Sequence, residues 1–347
     1  MKKLSVLAIL ILCCVLLFAC GKETAYVAPA ATPVPPVPTA VPTPEPTPEP
    51  TPEPTPEPLP PVEIDGAGNF TIYGRSFNIH DAAIDLSHVP VDDQGALIAE
   101  MMPFLPDCRM LDMDSCGVDN EHMAAIRDAN PDVNVVWRVW FGNNNTYTAR
   151  TDTEKILASN PGIDYAWGLL SENTECLKYC TKVKYLDIGH NEFLEDIDFV
   201  SYMPDLEIAI LAMAMWSDVS PLANCPKLEY AELQTSALND LSPLAGLTNL
   251  KHLNIGYCFS LWDISPLYNL SQLERLWIGC LTPISAEQVA QMQQAVPGCV
   301  INTTTVDPTG GGWRYIDEGV CDPYYAHVRD VFNYSLGEQA YNYTRLS

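Results

Sequence analysis

A short unit that recurs at a nearly constant step is the strongest constraint on the fold. The unit Asp-x-Ser-Pro-Leu occurs every 22 to 23 residues, at 218–222, 240–244 and 263–267. A leucine keeps the same step, at Leu206, Leu228, Leu250 and Leu273. Apolar residues follow each of these leucines three and five positions later. A single turn of such a chain cannot bury its apolar face alone, so the pattern predicts a solenoid of stacked turns.

Each turn is predicted to supply one short strand, which stacks in parallel about 4.8 Å from its neighbours. The pattern over residues 183–280 resembles the leucine-rich repeat, and its Asp-x-Ser-Pro-Leu half resembles the internalin-type subclass of bacterial surface proteins. The resemblance implies an α/β solenoid, a right-handed superhelix shaped as a horseshoe or arc with a parallel β-sheet on its concave side. Ile84 and Leu111 keep the register at a longer step of 27 residues. These longer turns resemble the helix-backed repeats of ribonuclease inhibitors.

Local signals predict the segments that flank the repeats. Alternating residues over 69–77 indicate an N-terminal hairpin. Helices are predicted over 94–102, 121–129, 151–158, 286–295 and from 323 to about 334. The helix over 151–158 rests on a capping-box pattern from Thr151 to Glu154. The C-terminal tail is expected to cap the final hydrophobic face of the array.

The N-terminus has the features of a secretion signal. Lys2 and Lys3 precede an apolar run over residues 4–18, which is too short to span a bilayer. Residues 17–21 resemble the lipobox of bacterial lipoproteins, which implies cleavage before Cys20 and acylation of that residue. Two acyl chains anchor a protein stably, whereas one chain does so only marginally. The alternative is an ordinary secretion signal in which Cys20 has no role.

A proline-rich stretch separates the leader from the repeats. Residues 28–62 are nearly all Pro, Thr, Val, Ala and Glu, with a four-residue Thr-Pro-Glu-Pro repeat. This composition excludes helix and sheet and favours extended polyproline II, which could reach on the order of 100 Å. We interpret it as a disordered stalk; a generic linker is the alternative. The predicted domains are a signal peptide (1–20), the stalk (21–62), the repeat domain with its N-terminal cap (63–305) and a C-terminal cap segment (306–347).

Charge and motifs exclude several classes of function. With 18 Lys and Arg against 44 Asp and Glu, the net charge is −26. Nucleic acids and anionic lipid head groups both require a basic surface, so membrane contact is expected through the lipid anchor only. The sequence contains no Gly-x-Ser-x-Gly or His-Glu-x-x-His motif, and no Ser or Cys is expected to pair with His190 or His252. We predict no catalysis, no cofactor and no bound metal. A hydrolase site within residues 133–167 is the enzymatic alternative.

The cysteines are interpreted mainly as packing residues. Nine of the twelve follow the leader, and this odd number prevents complete internal pairing. Four coincide with buried repeat positions, namely Cys116, Cys180, Cys225 and Cys258. Cys176 and Cys180 form only half of a metal site. A disulfide between Cys299 and Cys321 is an alternative to free thiols at the tail.

The side chains that alternate with the buried leucines are predicted to line the concave face. Aromatic, methionine and carboxylate side chains recur there, as is typical of recognition surfaces. The candidate binding residues are Asp85, Asp112, Tyr185, Asp187, Met213, Tyr230, Glu232, His252, Tyr257, Arg275 and Trp277. Asp85 and Asp112 are expected about 5 Å apart on adjacent strands, where they would attract Lys, Arg or Ca²⁺. Replacing Tyr230 and Trp277 with Ala is expected to abolish binding without changing the melting temperature.

Together these patterns predict a surface-displayed protein that recognises a protein, peptide or glycan on its concave face and acts as a monomer. The alternative is an acidic structural component of the cell envelope without a dedicated ligand. The lipobox and the stalk indicate the extracytoplasmic face of a bacterial membrane, and a Gram-positive cell surface is favoured.

Overall fold

The computed structural model describes residues 58–160, 168–306, 313–317 and 320–334. All of them belong to one structural unit, Pro58–Ser347. The predicted signal peptide, Cys20 and the stalk up to residue 57 lie outside the described residues.

The N-terminal part contains a hairpin and a small parallel sheet. Strands β1 (Asn69–Ile72) and β2 (Arg75–Asn78) form the predicted antiparallel hairpin. The sheet comprises β3 (Ala83–Asp85), β4 (Met110–Asp112) and β5 (Asn134–Val136), with α1 (Ala96–Met101) between β3 and β4 and α2 (Asn120–Ala129) between β4 and β5. Both helices were predicted, and Asp119 caps α2 by accepting a hydrogen bond from the backbone N–H of His122.

A second antiparallel hairpin interrupts the parallel strands. It consists of β6 (Arg138–Phe141) and β7 (Tyr147–Arg150). Val139 and Phe141 of this hairpin are buried, whereas Trp140 between them is exposed. The repeat register is therefore lost between the small sheet and the main sheet.

The main sheet has seven parallel strands, one from each successive turn. They are β8 (Lys155–Leu157), β9 (Tyr185–Asp187), β10 (Ile208–Ile210), β11 (Tyr230–Glu232), β12 (His252–Asn254), β13 (Arg275–Trp277) and β14 (Val300–Asn302). Equivalent residues pair across the strands, so that Ala209 faces Leu186 on one side and Ala231 on the other. The recurring leucines are buried, and the predicted solenoid of leucine-rich repeats is confirmed.

The Asp-x-Ser-Pro-Leu unit forms the thin outer side of each turn. Its serine begins a short 3₁₀ helix, as in Ser220–Asn224 and Ser265–Asn269. The preceding aspartate fixes the start of that helix, because the carboxylate of Asp218 accepts a hydrogen bond from the backbone N–H of Ser220 at 2.8 Å. Helix α3 (Ala286–Ala295), capped by Ser285 as predicted, lies between β13 and the last strand.

The predicted helix over 151–158 is wrong, because residues 155–157 form the edge strand β8. The hydroxyl of Thr151 accepts a hydrogen bond from the backbone N–H of Trp137 and therefore does not cap a helix. Ile156 and Leu157 are both fully buried on opposite faces of the sheet. Burial on both faces favours a strand over a helical turn.

Polar and sulfur-containing side chains line the turn that follows each strand. Asn191 donates to the carbonyls of Ala158 and Ile188, and the thiol of Cys258 donates to the carbonyl of Leu233. The four cysteines at repeat positions are buried, as predicted. All nine described cysteines are free thiols, so Cys299 and Cys321 form no disulfide.

The same turn places a residue in the left-handed region of backbone space. Six such residues have φ between about 58° and 63°, namely His88, Ser115, His190, Met213, Thr235 and Tyr257. This conformation costs an L-residue roughly 1–2 kcal/mol, and it is least favourable for a β-branched residue such as Thr235.

Replacing Thr235 with Asn is expected to raise the free energy of unfolding by roughly 0.5–1 kcal/mol, because Asn tolerates a positive φ better than threonine does. Urea-induced unfolding measures the change. Thr248→Asn is the matched control, since Thr248 is exposed and has no positive φ. An equal gain in both variants would show that backbone strain at residue 235 is not the cause.

Candidate functional site

The C-terminal segment, defined here as residues 313–317 and 320–334, covers most of the inner face of the main sheet. It contains the hairpin strands β15 (Tyr315–Asp317) and β16 (Val320–Cys321) and helix α4 (Pro323–Phe332). Its apolar side chains form one buried cluster with those of the sheet. The members of the cluster are Leu157, Ile208, Ile210, Tyr230, Trp277, Trp313, Tyr325, Val328 and Phe332. The expectation that the tail caps the last turn is therefore wrong, because the tail packs across the strands.

A buried carboxylate at the centre of the sheet holds the C-terminal segment in place. Glu232 is fully buried, and the Nε atom of Arg314 and the indole N–H of Trp313 both donate to its Oε1 atom at 3.0 Å. Tyr230 and Gln234 donate to the same carboxylate. Burial favours the neutral acid, but the Arg314 guanidinium outweighs that effect and holds the pKa of Glu232 below its usual value.

Further polar contacts join the segment to the edge strand β8 and to β13, the last strand but one at the other side of the sheet. Arg275 lies 3.0 Å from the carboxylate of Asp322, and Lys155 donates to the carbonyl of Val331 at 2.8 Å. The ring of Tyr324 stacks on Tyr230, with the ring centroids 5.6 Å apart. The segment is thus fixed by specific contacts as well as by apolar packing.

Because the C-terminal segment covers the inner face, several of the predicted binding residues are not exposed to solvent. Tyr230, Glu232, His252, Trp277 and Asp187 all lie on the inner face as predicted, but each is at most 3% exposed. They were expected to face solvent, and the C-terminal segment or neighbouring side chains exclude solvent from them. Replacing Tyr230 or Trp277 with Ala must therefore open a cavity in a packed cluster and lower stability. The expectation of an unchanged melting temperature assumed exposed side chains, and their burial replaces it with an expected decrease.

The other predicted residues of the main sheet are half-buried, namely Tyr185, Met213, Tyr257 and Arg275. One sequence signal pointed to the cover. Ile208 and Ile210 occupy outward positions in the middle of the array, where an open face would expose both of them to water. Large apolar side chains at such positions indicate that another part of the chain packs there.

Asp85 and Asp112 pair across β3 and β4 as predicted, but the chain itself supplies the cation that contacts Asp112. Arg150 of β7 lies 3.0 Å from the carboxylate of Asp112 and 3.4 Å from that of Asp114. Arg138 also contacts Asp114, at 2.6 Å. The carboxylates of this region therefore converge on arginines of the β6–β7 hairpin, which occupy the position expected for an external Lys, Arg or Ca²⁺.

The aspartates of the inner face also have a structural role that sequence reasoning missed. The side chains of Asp85, Asp112 and Asp187 each accept a hydrogen bond from the backbone N–H two residues later, at 2.9–3.0 Å. Asn254 accepts the same bond from Gly256 at 3.0 Å. An Asp or Asn at this position closes a local turn, and its recurrence in the repeat was the signal for that role.

A cavity of about 250 Å³ lies where the ends of β8 to β11 meet the C-terminal segment. We call it the polar cavity. Its polar lining consists of Ser159, Asp187, His190, Glu232, Gln234, Arg314, Tyr315, Arg329 and Tyr334. Polar side chains of the inner face remain in contact with open space there.

Several of these polar groups have no hydrogen-bond partner among the described residues. The buried Oε1 atom of Gln234 has none, and the side chains of Ser159, His190 and Arg329 make no side-chain hydrogen bond or ion pair. Ser159 and His190 were not expected to share a site. The Ser159 hydroxyl and the His190 imidazole are nevertheless not hydrogen-bonded, so the contact that activates a serine nucleophile is missing in this arrangement.

Two ionisable groups of the polar cavity have shifted pKa values. Burial raises the pKa of Asp187 to about 6, and the nearby Glu232 carboxylate adds to this rise, whereas the hydroxyl of Tyr334, which donates to Asp187, opposes it. Burial, together with the charge of Arg314, lowers the pKa of His190. His190 is therefore neutral at pH 7, and Asp187 takes up a proton under mildly acidic conditions. The described residues contain no group of three or more His, Cys, Asp or Glu side chains placed to hold a metal ion.

The raised pKa of Asp187 predicts a loss of stability as the pH rises from about 4, where aspartate titrates in the unfolded chain, to about 6. Asp187→Asn removes the ionisation and keeps an acceptor for the Gly189 N–H, as Asn254 does for Gly256. The variant is expected to be more stable than the wild type at pH 7, by about 2 kcal/mol. Urea unfolding between pH 4 and pH 8 measures the difference.

Asp85→Asn is the control for this prediction. Asp85 makes the same turn, but hydrogen bonds from Ser87 lower its pKa, so its replacement should not stabilise the protein at pH 7. An unchanged pH profile in Asp187→Asn would contradict the assignment of the titration to Asp187.

Comparisons with known proteins give structural matches only. No protein-family model and no curated protein matches the chain. An internalin, InlF of Listeria monocytogenes, is 18% identical, with a TM-score of 0.39 over 65% of this chain and 62% of its own. The internalin C2 of Listeria monocytogenes is 19% identical, with a TM-score of 0.34 over 70% of this chain and 83% of its own.

A leucine-rich repeat protein of Leptospira interrogans is 17% identical, with a TM-score of 0.38 over 63% of this chain and 59% of its own. The chain thus spans less than two thirds of the InlF and Leptospira chains. In the described ranges, the helices are all too short or too polar to span a lipid bilayer.

Proposed function

We propose that this protein is a non-catalytic recognition protein, displayed on the extracytoplasmic face of a bacterial membrane by a lipid on Cys20. The stalk over residues 21–62 would hold the repeat domain away from the membrane. The domain would bind a protein, peptide or glycan partner, without a cofactor. The lipobox-like residues 17–21 and the proline-rich composition support the display, and the inner face of the solenoid supports the recognition.

The observation that supports recognition most directly is the set of unpaired polar groups in the polar cavity. A buried polar group without a partner costs free energy, commonly about 1–3 kcal/mol. Such groups are therefore rare in a folded protein unless a ligand or water satisfies them. In the polar cavity the Oε1 atom of Gln234 is such a group, and the side chains of Ser159 and Arg329 add polar groups to which no described residue hydrogen-bonds. A ligand that bonds to them would recover this free energy.

The C-terminal segment limits where the partner can bind. It fills the inner face over Tyr230, Glu232 and Trp277, so the proposed contact surface is the polar cavity with the half-buried residues near it. Met213 and Tyr257, which follow β10 and β12, lie at the ends of strands on the same face. The proposed binding surface therefore lies along the carboxyl ends of the strands.

The absence of a hydrogen bond between Ser159 and His190 supports binding over hydrolysis. Acyl transfer by a serine requires that its hydroxyl be bonded to a general base. Asp187 is engaged as well, because its two oxygens accept hydrogen bonds from Gly189 and Tyr334. Among the described residues of 133–160, the carboxylate of Asp152 is paired with Arg150 and that of Glu154 with Lys184.

Probing residues 63–347 against arrays of glycans and surface proteins tests the proposal. Specific retention at physiological salt is expected, and Ala212→Phe should abolish it, because Ala212 lines the polar cavity and a larger side chain would fill it. Ala237→Phe, at an exposed position of the next turn, is the matched control and should bind as the wild type does. Retention of no partner would instead support a structural envelope component.

The anchor is tested separately in a bacterial host that processes lipoproteins. Cys20→Ser removes the only thiol at which the lipobox-like pattern places a lipid, so the variant is expected in the culture medium or soluble fraction. The wild type is expected in the membrane fraction. Cys13→Ser, within the leader, is the control and should leave the distribution unchanged. Equal membrane retention of both variants would exclude anchoring through Cys20.

A further inference from the structure

We propose that the polar cavity binds an acidic sugar, a single saccharide ring that carries a carboxylate. The inference rests on the proposed recognition function and names its ligand class. It follows from the kinds of polar group that are left unpaired, from one unpaired arginine and from the size of the cavity.

The neutral groups point to a ligand rich in hydroxyls. The hydroxyls of Ser159 and Tyr315 and the imidazole of His190 can each donate and accept, depending on orientation or tautomer, and the Oε1 atom of Gln234 accepts only. None of the four has a hydrogen-bond partner among the described residues. A ligand must therefore offer donors and acceptors on several sides. Sugar hydroxyls do so, because each can donate one hydrogen bond and accept others.

Arg329 adds a preference for a negative group. It lies on α4 and lines the cavity, and none of its side-chain nitrogens takes part in an ion pair within the described ranges. The other arginine of the cavity, Arg314, is neutralised by Glu232. Arg329 is therefore the cation available to a ligand there. A guanidinium binds a carboxylate through two parallel hydrogen bonds, so a carboxylate is a suitable partner for Arg329.

The volume of the cavity and the apolar part of its lining are suited to a single saccharide ring. Drug-sized ligands occupy cavities of roughly 300–1,000 Å³, and the polar cavity holds about 250 Å³. Tyr325 also lines it, with the Arg314 guanidinium 5.0 Å from the centre of its ring. Tyr325, Ile210 and Ala212 give the cavity an apolar wall, against which the C–H groups of a sugar can pack.

A free amino acid is the competing small ligand with a carboxylate, and the cavity offers less to it. Its ammonium group would need an available carboxylate. Glu232 is bonded to Arg314, and both oxygens of Asp187 already accept hydrogen bonds. The neutral groups at Ser159, Tyr315 and Gln234 would remain without partners. A sugar acid can form hydrogen bonds with the unpaired groups, and it does not require the carboxylates of Glu232 and Asp187 to give up the bonds that they already make.

The test compares sugars that differ only in the carboxylate, galacturonic acid with galactose and glucuronic acid with glucose. Each is titrated into the full chain and followed by NMR or calorimetry. At least one acid is expected to bind about ten-fold more tightly than its neutral partner, which is the loss that a missing charge-assisted hydrogen bond produces. Arg329→Gln should abolish this preference without lowering the melting temperature.

Arg75→Gln is the charge-matched control, because Arg75 is exposed on β2, and it should preserve the preference. Three results would overturn the inference: binding of no sugar, equal affinity for each acid and its neutral partner, or a preference that survives in Arg329→Gln. If the arrays retain a protein partner while no sugar binds, the recognition function stands and the sugar assignment fails.

Discussion

The contact between Glu232 and Arg314 is the interaction on which the organisation of the inner face depends. A carboxylate in the middle of a parallel sheet is tolerated only when a cation and hydrogen-bond donors surround it. The C-terminal segment supplies both, through Arg314 and Trp313. Loss of one partner from such a pair commonly costs about 3–5 kcal/mol, because the other charge stays buried and unpaired. The segment is thus part of the folded core, and the repeats alone would leave Glu232 exposed beside apolar strands.

This arrangement changes what the concave side of the solenoid can offer to a partner. An open parallel sheet would present a broad surface of aromatic and acidic side chains. The described structure instead presents a filled sheet with a small polar cavity at the ends of its strands. In the N-terminal sheet, Arg150 likewise contacts the carboxylates of both Asp112 and Asp114, and Arg138 contacts that of Asp114. In both regions, carboxylates of the inner face are paired with arginines of the same chain, and few polar groups remain without a partner for an external ligand to bind.

The repeat itself could be predicted because periodicity records the packing of each turn on the next. Leu206 and Leu228 occupy equivalent positions of adjacent turns and are both fully buried, so the same residue type recurs at a fixed step in the sequence. The strand β8 could not be predicted, because its Thr151–Glu154 pattern also satisfies the rules for a helix start. The cover of the inner face was missed for a different reason. It joins residues as distant as Glu232 and Arg314, and no repeat relates the two positions. The residues of the polar cavity, such as Ser159 and Arg329, come together only through that contact.

The path of the C-terminal segment has a consequence for how the repeats unfold. In a linear array each turn is stabilised mainly by its two neighbours, so the ends can open while the middle stays folded. Here Lys155 of β8 and Arg275 of β13 both bond to the same segment, although they lie at opposite sides of the sheet. Separation of β8 from one side of the sheet, or of β13 from the other, must therefore break contacts with the C-terminal segment, which spans the intervening strands. The C-terminal segment therefore couples the turns that it contacts, and these turns are expected to unfold together.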